Sequence, residues 1–188
     1  PRYLNLAESH SIDAIKSFTR LESDTSPRIS EFYVVRENVE GEYSAIGGIQ
    51  YEGTKHEFVT QQSIFTRRGT DRILKYAFDL AQSRAAMHLS SATKSNGIIH
   101  SMPFWDKRVK EMAKSYPDVT VDQYHIDFFT AIFVRMPEHY DVVVASNLFG
   151  DILSDESAQV VGGLGMAPAA NIGDDFGLFE PVHGAAFD

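Results

Sequence analysis

Cysteine is absent from the 188 residues, which excludes a disulfide scaffold, a CxxC redox centre and any cysteine-ligated metal. Long apolar runs are missing as well. No stretch approaches the roughly 18 to 20 residues of a membrane span, and no basic-plus-apolar leader precedes a small-residue cleavage site, so a soluble cytoplasmic protein is the default expectation. Positive charge is scarce: 17 Lys plus Arg face 26 Asp plus Glu, and the net charge of −9 argues against nucleic acid or a membrane surface as a partner. With only 13 Gly and 7 Pro, collagen-like and low-complexity classes also fail. What remains is ample material for one packed core, 43% hydrophobic and 12% aromatic residues, together with carboxylates free to meet a cation.

The chain opens on Pro1 and stops at Asp188 directly after EPVHGAAF, text that reads like the middle of a loop, so a piece of a longer polypeptide is expected. Residues 31 to 36 (EFYVVR) read as a buried strand running into the charged loop ENVEGE. Two strand-like segments between Tyr43 and Phe65 flank EGTK, where Gly53 can supply the turn of a hairpin or extended arm. Ile73, Leu74, Ala77, Phe78 and Ala81 recur at helical spacing, with Thr70 and Asp71 as the expected cap, which predicts a helix over 70–84. MHLSSAT reads as a strand. A helix carrying Trp105, Val109, Met112 and Tyr116 on one face follows and is stopped by Pro117. VTVDQYHI then predicts a strand, DFFTAIFVRM a helix, and DVVVA a strand covered on both faces. Strands alternating with helices indicate an α/β sheet. Beyond Ser157 the Gly-, Ala- and Pro-rich GGLGMAPAANIGDD suggests a domain boundary near 160 to 165.

Just past DVVVA lies Asn147-Leu-Phe-Gly-Asp151-Ile-Leu-Ser-Asp155-Glu156, at the sheet edge where ligands of open α/β folds bind. A helix starting near Phe149 sets Asp151 and Asp155 one turn apart, two hard oxygen donors of the kind Mg²⁺ or Mn²⁺ takes. The alternative is that Asp151 caps the helix and Asp155 is solvated. Asp127 is a third carboxylate at a strand end, with an N-cap as its alternative. Lys94, in the polar turn ATKSNG, is either a solvated loop residue or a general base. Arg36 could fork onto a carboxylate and Tyr43 could donate a proton, or both could serve packing and surface. The histidines give no metal-ligand spacing, and only His183, in EPVHG, stands in a loop that reads as functional. G-x-S-x-G, P-loop, CxxC and HExxH motifs are all absent, and GGLG is followed by Pro168 where a dinucleotide fingerprint needs a small residue.

Taken in order, RENVEGEY, TKSNG, NLFGDILSDE, GGLGMAPAANIGD and FEPVHGAAFD closely resemble the β-decarboxylating dehydrogenases, a family of isopropylmalate, isocitrate, homoisocitrate, tartrate and D-malate enzymes. The resemblance runs from about residue 31 to the end and is weak over the first thirty residues. It implies an α/β, isopropylmalate dehydrogenase-like three-layer fold: residues 1–163 as a central substrate and dimerisation domain with a β-arm, and 164–188 as the start of a return into a partial cofactor-binding domain. By the same resemblance Asp127, Asp151 and Asp155 match the Mg²⁺ or Mn²⁺ ligands, Asp127 being supplied across a homodimer. Lys94 matches the base that also crosses the dimer, Tyr43 the acid that protonates the enol, and Arg36 a substrate-carboxylate arginine. Asn96 matches a residue near the nicotinamide; Glu180, His183, Gly184 and Asp188 match the cofactor loop. Asp188, as a partner for both ribose hydroxyls, implies NAD rather than NADP.

The implied reaction is oxidation and decarboxylation of a hydroxy-diacid. Isopropylmalate enzymes usually read K-A-N-V where this chain has Lys94-Ser-Asn-Gly97; Gly97 offers no apolar wall to an isopropyl group, which points to D-malate or tartrate. The alternatives are 3-isopropylmalate, as in leucine biosynthesis, and a catalytically incomplete dimerisation fragment.

Overall fold

The computed structural model describes residues 2–6, 17–19, 28–173 and 176–181. Strands are β1 (Arg2–Leu6), β2 (Ser17–Thr19), β3 (Arg28–Ser30), β4 (Tyr33–Glu37), β5 (Gly47–Gln50), β6 (Phe58–Gln61), β7 (His88–Thr93), β8 (Thr120–His125), β9 (Val142–Ala145), β10 (Pro168–Ile172) and β11 (Gly177–Pro181). Helices are α1 (Arg67–Ser83), α2 (Ser101–Ala113), α3 (Ile126–Arg135) and α4 (Asn147–Val160). Seven strands form one sheet in the order β11-β10-β1-β4-β9-β7-β8. Within it β4, β9, β7 and β8 run parallel, while β1 is antiparallel to both β4 and β10. The expected α/β class is therefore present, with a parallel half that places four strand carboxyl ends along one edge.

Connection handedness assigns the helices to layers. The crossovers carrying α1 and α2 advance from β4 to β7 to β8, whereas α3 returns from β8 to β9, so right-handed crossovers put α1 and α2 on one face and α3 on the other. Accordingly α1 packs on α2, and α4 on α3 and β4. Strand β9, covered on both sides, is buried at every residue, as its all-apolar text requires. On the α3 side Phe133 meets Phe32 edge-on at 5.0 Å and stacks on Tyr140 at 4.9 Å. On the other side Trp105 is fully buried and donates its indole N–H to Ser91 Oγ at 3.0 Å. Phe133→Leu keeps most of the buried volume but loses both ring contacts, and chemical denaturation should show a loss of about 1.5 kcal/mol.

Helix starts differ from expectation for identifiable reasons. The cap of α1 is Thr66, whose side chain accepts the Gly69 N–H; Thr70 lies on the buried apolar face and Asp71 instead pairs with Arg108 at 2.6 Å. The cap of α3 is His125, so Asp127 falls in the first turn rather than at the N-cap. Helix α4 begins at Asn147, which places Asp151 inside the helix and removes its capping alternative. Helix α2 ends at Ala113, before Pro117. The hairpin β5–β6 forms as expected, Gly53 taking a left-handed φ of +76° in its turn. Strands β10 and β11 follow α4 and join the same sheet through β1.

Candidate active site

The site is built at the carboxyl edge of the parallel strands. Arg36 stands near the end of β4, opposite Ala145 of β9, and the loop that follows β4 folds back over the start of α4. Buried Glu37 organises that loop: its carboxylate accepts from Val39 N (2.8 Å) and Glu40 N (3.3 Å) and from Arg72 Nη2 (2.8 Å). Glu42 then reaches the N-terminus of α4, accepting from Ser146 Oγ at 2.6 Å and Leu148 N at 3.0 Å, where negative charge complements the helix dipole. Gly41 makes this approach possible with φ +108° and only 3.2 Å between an added Cβ and Asn147 Cβ.

On this platform two side chains meet Asp151. Arg36 Nη1 forms an ion pair with one carboxylate oxygen, and Tyr43 OH donates to the other at 2.9 Å. Arg36 is itself held by Asn147 Oδ1, through Nη2 at 2.9 Å and Nε at 3.2 Å, and Asn147 Nδ2 donates to the Glu40 carbonyl at 3.1 Å. Loss of hydration around the phenol, then the bond to Asp151 and its charge, push the Tyr43 pKa up, so this hydroxyl keeps its proton at neutral pH. Asp155, one helical turn from Asp151, has its carboxyl raised first by burial and then by the Asp151 charge, with Arg36 opposing. Two carboxylates that repel one another are an all-oxygen donor set suited to a hard divalent cation.

Gly150 fixes how closely α4 approaches β4. A Cβ there would lie 2.6 Å from Arg36 Cγ and 3.2 Å from its Cα. Gly150→Ala gains about 1 kcal/mol of helix propensity but incurs about 1–3 kcal/mol of overpacking. We expect it to displace Arg36 and lower stability by up to about 2 kcal/mol net, read by chemical denaturation.

A second group stands on the neighbouring strands. Lys94 follows β7 and Asp127 follows β8, and Lys94 Nζ lies 2.7 Å from Asp127 Oδ1. The hydrogen bond from Lys94 is the main cause holding the Asp127 carboxyl below its usual range. In the sheet β4 and β8 are separated by β9 and β7, three strand spacings or roughly 14 Å. Among the described residues, Asp127, Asp151 and Asp155 do not form a cluster with ligand atoms within 4.8 Å of one another. One chain thus carries the two halves of the expected constellation apart from each other. Asn96 is exposed in the turn after Lys94, and Glu180, on β11, accepts from Asn171 Nδ2 at 2.9 Å. His183, Gly184 and Asp188 lie outside the described residues.

Sequence reasoning missed Glu37, Glu42, Asn147 and Gly150. Glu37 acts through its own loop and Arg72 of α1, and the other three through contacts between β4 or the loop after it and a helix about a hundred residues later, none of which local spacing reveals.

The family described as isocitrate/isopropylmalate dehydrogenase matches residues 2–188. The decarboxylating D-malate dehydrogenase of Escherichia coli is 60% identical over 161 residues, 84% of this chain and 45% of that protein. A tartrate dehydrogenase/decarboxylase of Pseudomonas putida is likewise 60% identical, over 84% of this chain and 44% of its own length. The 3-isopropylmalate dehydrogenase of Corynebacterium efficiens is 42% identical over 99% of this chain and 54% of its own. A crystal structure of isocitrate dehydrogenase from Methylococcus capsulatus superposes with a TM-score of 0.83 at 34% identity, covering 97% of this chain and 51% of that one. The chain spans about half the length of the relatives it matches. With the family matched over residues 2–188 and that superposition at a TM-score of 0.83, this chain belongs to the isocitrate/isopropylmalate dehydrogenase family.

Proposed function

We propose that the full-length protein is an NAD- and divalent-metal-dependent oxidative decarboxylase of a D-malate-type 2-hydroxy acid, D-malate or tartrate, working as a homodimer with shared active sites. The observation that carries this reading is the Arg36–Asp151–Tyr43 constellation beside Asp155 at the carboxyl edge of β4 and β9. Bound by Asp151, Asp155 and the partner subunit's Asp127, Mg²⁺ or Mn²⁺ would supply Lewis-acid polarisation of the substrate hydroxyl and carboxylate.

The remaining work belongs to side chains. Arg36, fixed by Asn147 and Asp151, presents a planar fork to the substrate carboxylate. Lys94 takes the 2-hydroxyl proton, and NAD, when bound, would supply the hydride acceptor that lets the substrate become the 2-oxo acid. The C–C bond to the β-carboxylate then breaks, CO₂ leaves, and the electron pair stays as the enolate. Tyr43, protonated at rest, donates its proton to that carbon. Asn96 and, from the cofactor loop, Glu180, His183, Gly184 and Asp188 are assigned to NAD.

The dimer is supported by apolar surface that one chain leaves open. The hairpin β5–β6 is exposed along its length, with Ile49 (49%), Phe58 (49%) and Val59 (65%) in water, although a two-stranded ribbon is marginal alone. Phe128 (56%) and Val134 (54%) project from α3, beside Asp127. A second copy covering these faces would bring Lys94 and Asp127 to the other subunit's Asp151 and Asp155.

Substrate choice is supported at Gly97, where an added Cβ would find Lys94 Cγ at 3.9 Å and no closer neighbour. Position 97 itself projects nothing larger than hydrogen, which suits a small or hydroxylated substituent. Assay of the full-length protein with NAD, Mn²⁺ and D-malate, tartrate or 3-isopropylmalate tests this. We expect D-malate or tartrate to give the highest kcat/KM; preference for 3-isopropylmalate would overturn the substrate reading, and no turnover of any of them would overturn the function.

A further inference from the structure

Away from the carboxyl edge, three side chains converge from three separate elements. His88 opens β7, Asp122 lies on β8, and His139 ends the 3-10 turn Pro137–His139 that precedes β9. One ligand atom from each lies within 4.8 Å of the other two. His88 Nε2 is 3.0 Å from Asp122 Oδ2, and His139 Nε2 is 3.5 Å from the same oxygen. The two imidazoles face one another edge to face at 5.4 Å. Because β7, β8 and β9 are parallel, this group occupies the sheet end opposite to that of Lys94 and Asp155.

From these side chains we propose a second metal site, one that takes a borderline transition ion of the Zn²⁺ class. Four-coordinate zinc with bonds of about 2.0–2.1 Å has neighbouring ligand atoms roughly 3.3 Å apart, and the two nitrogen-to-oxygen separations of 3.0 and 3.5 Å bracket that value. Two imidazole nitrogens and one carboxylate oxygen select such an ion over Mg²⁺ or Ca²⁺, which prefer all-oxygen shells.

Two further observations point to a ligand. Asp122 Oδ1 is buried yet has no hydrogen-bond partner, which is costly unless a cation shares the carboxylate. Tyr124 OH donates to Asp122 Oδ2 at 2.8 Å, the kind of outer contact that orients a ligating carboxylate. His139 is about half exposed, and its side provides both an entry path and an open fourth position for water. The ion would pin the turn before β9 to β7 and β8, and its donors differ enough from the all-oxygen catalytic set that the two sites would sort metals.

Cobalt(II) is the probe, because its visible absorption distinguishes four-coordinate nitrogen and oxygen ligation from octahedral oxygen ligation. Full-length protein stripped by a chelator and kept in excess Mg²⁺, to fill the catalytic centre, is titrated with Co²⁺. One Co²⁺ per chain with intense four-coordinate bands is expected. His139→Ala, at an exposed position, should abolish the bands and weaken binding by more than the roughly 10- to 100-fold that loss of a mere supporting contact causes. Asp155→Asn should leave the bands intact. Absence of the bands, equal binding by His139→Ala, or loss of the bands in Asp155→Asn instead would each overturn the proposal. Should His139→Ala fail to fold, anomalous scattering from Zn²⁺-soaked wild-type crystals decides, by a peak between the three side chains or none there.

Discussion

Asp151→Asn in the full-length protein is expected to lower kcat/KM for the oxidative decarboxylation by about 10³-fold or more while leaving thermal stability near wild type. The substitution keeps the shape of the side chain and removes one negative charge. Three functions meet on that charge: it pairs with Arg36, accepts the Tyr43 hydroxyl and sits one helical turn from Asp155. Without it the proposed donor set keeps Asp155 and Asp127 but loses one of its three carboxylates. Lewis-acid stabilisation is worth several kcal/mol in such reactions and each 1.4 kcal/mol is tenfold in rate, which sets the expected size. Asp151 is about half exposed, so folding has little to lose. Mn²⁺ affinity should fall in parallel, and retention of near wild-type kcat/KM would remove Asp151 from the centre.

Lys94→Ala should lower kcat by about 10² to 10⁴ with a much smaller change in KM, the signature of a proton acceptor used in the chemical step. In the single chain Lys94 is held by Asp127 at 2.7 Å. The Asp127 end of the pair is two-thirds exposed, so its contribution to stability is small and a loss of rate cannot be blamed on unfolding. A change confined to KM would instead make Lys94 a binding residue.

How much of this could be read from residues alone varies with the range of the contact involved. The buried strand DVVVA, the β5–β6 hairpin and the apolar stripe of α1 depend on neighbours in sequence, and they stand where periodicity put them. Helix starts did not, because a cap is chosen by the loop before it: Thr66 wins over Thr70 because Thr70 faces the core. The pairing of Asp151 with Arg36 and Tyr43 spans more than a hundred residues, and it became a site in the sequence only through resemblance to a family. Glu42, Asn147 and Gly150 carried no local signal at all. The histidines behave in the same way: His88 and His139 show no ligand spacing in sequence, and it is parallel pairing of β7 with β8 and β9 that gathers them around Asp122.

The central claim is that each active site takes Asp151 and Asp155 from one subunit and Lys94 and Asp127 from the other. Subunit mixing tests it most directly. Full-length Asp151→Asn and Lys94→Ala proteins, each nearly inactive, are unfolded together in equal amounts, refolded and assayed. In a mixed dimer one site collects both defects and the other collects neither. With half the dimers mixed and one intact site in each, activity should return to about one quarter of wild type. If each site were complete within a single chain, every site in the mixture would carry one defect, and activity staying at the level of the separate variants would contradict the account.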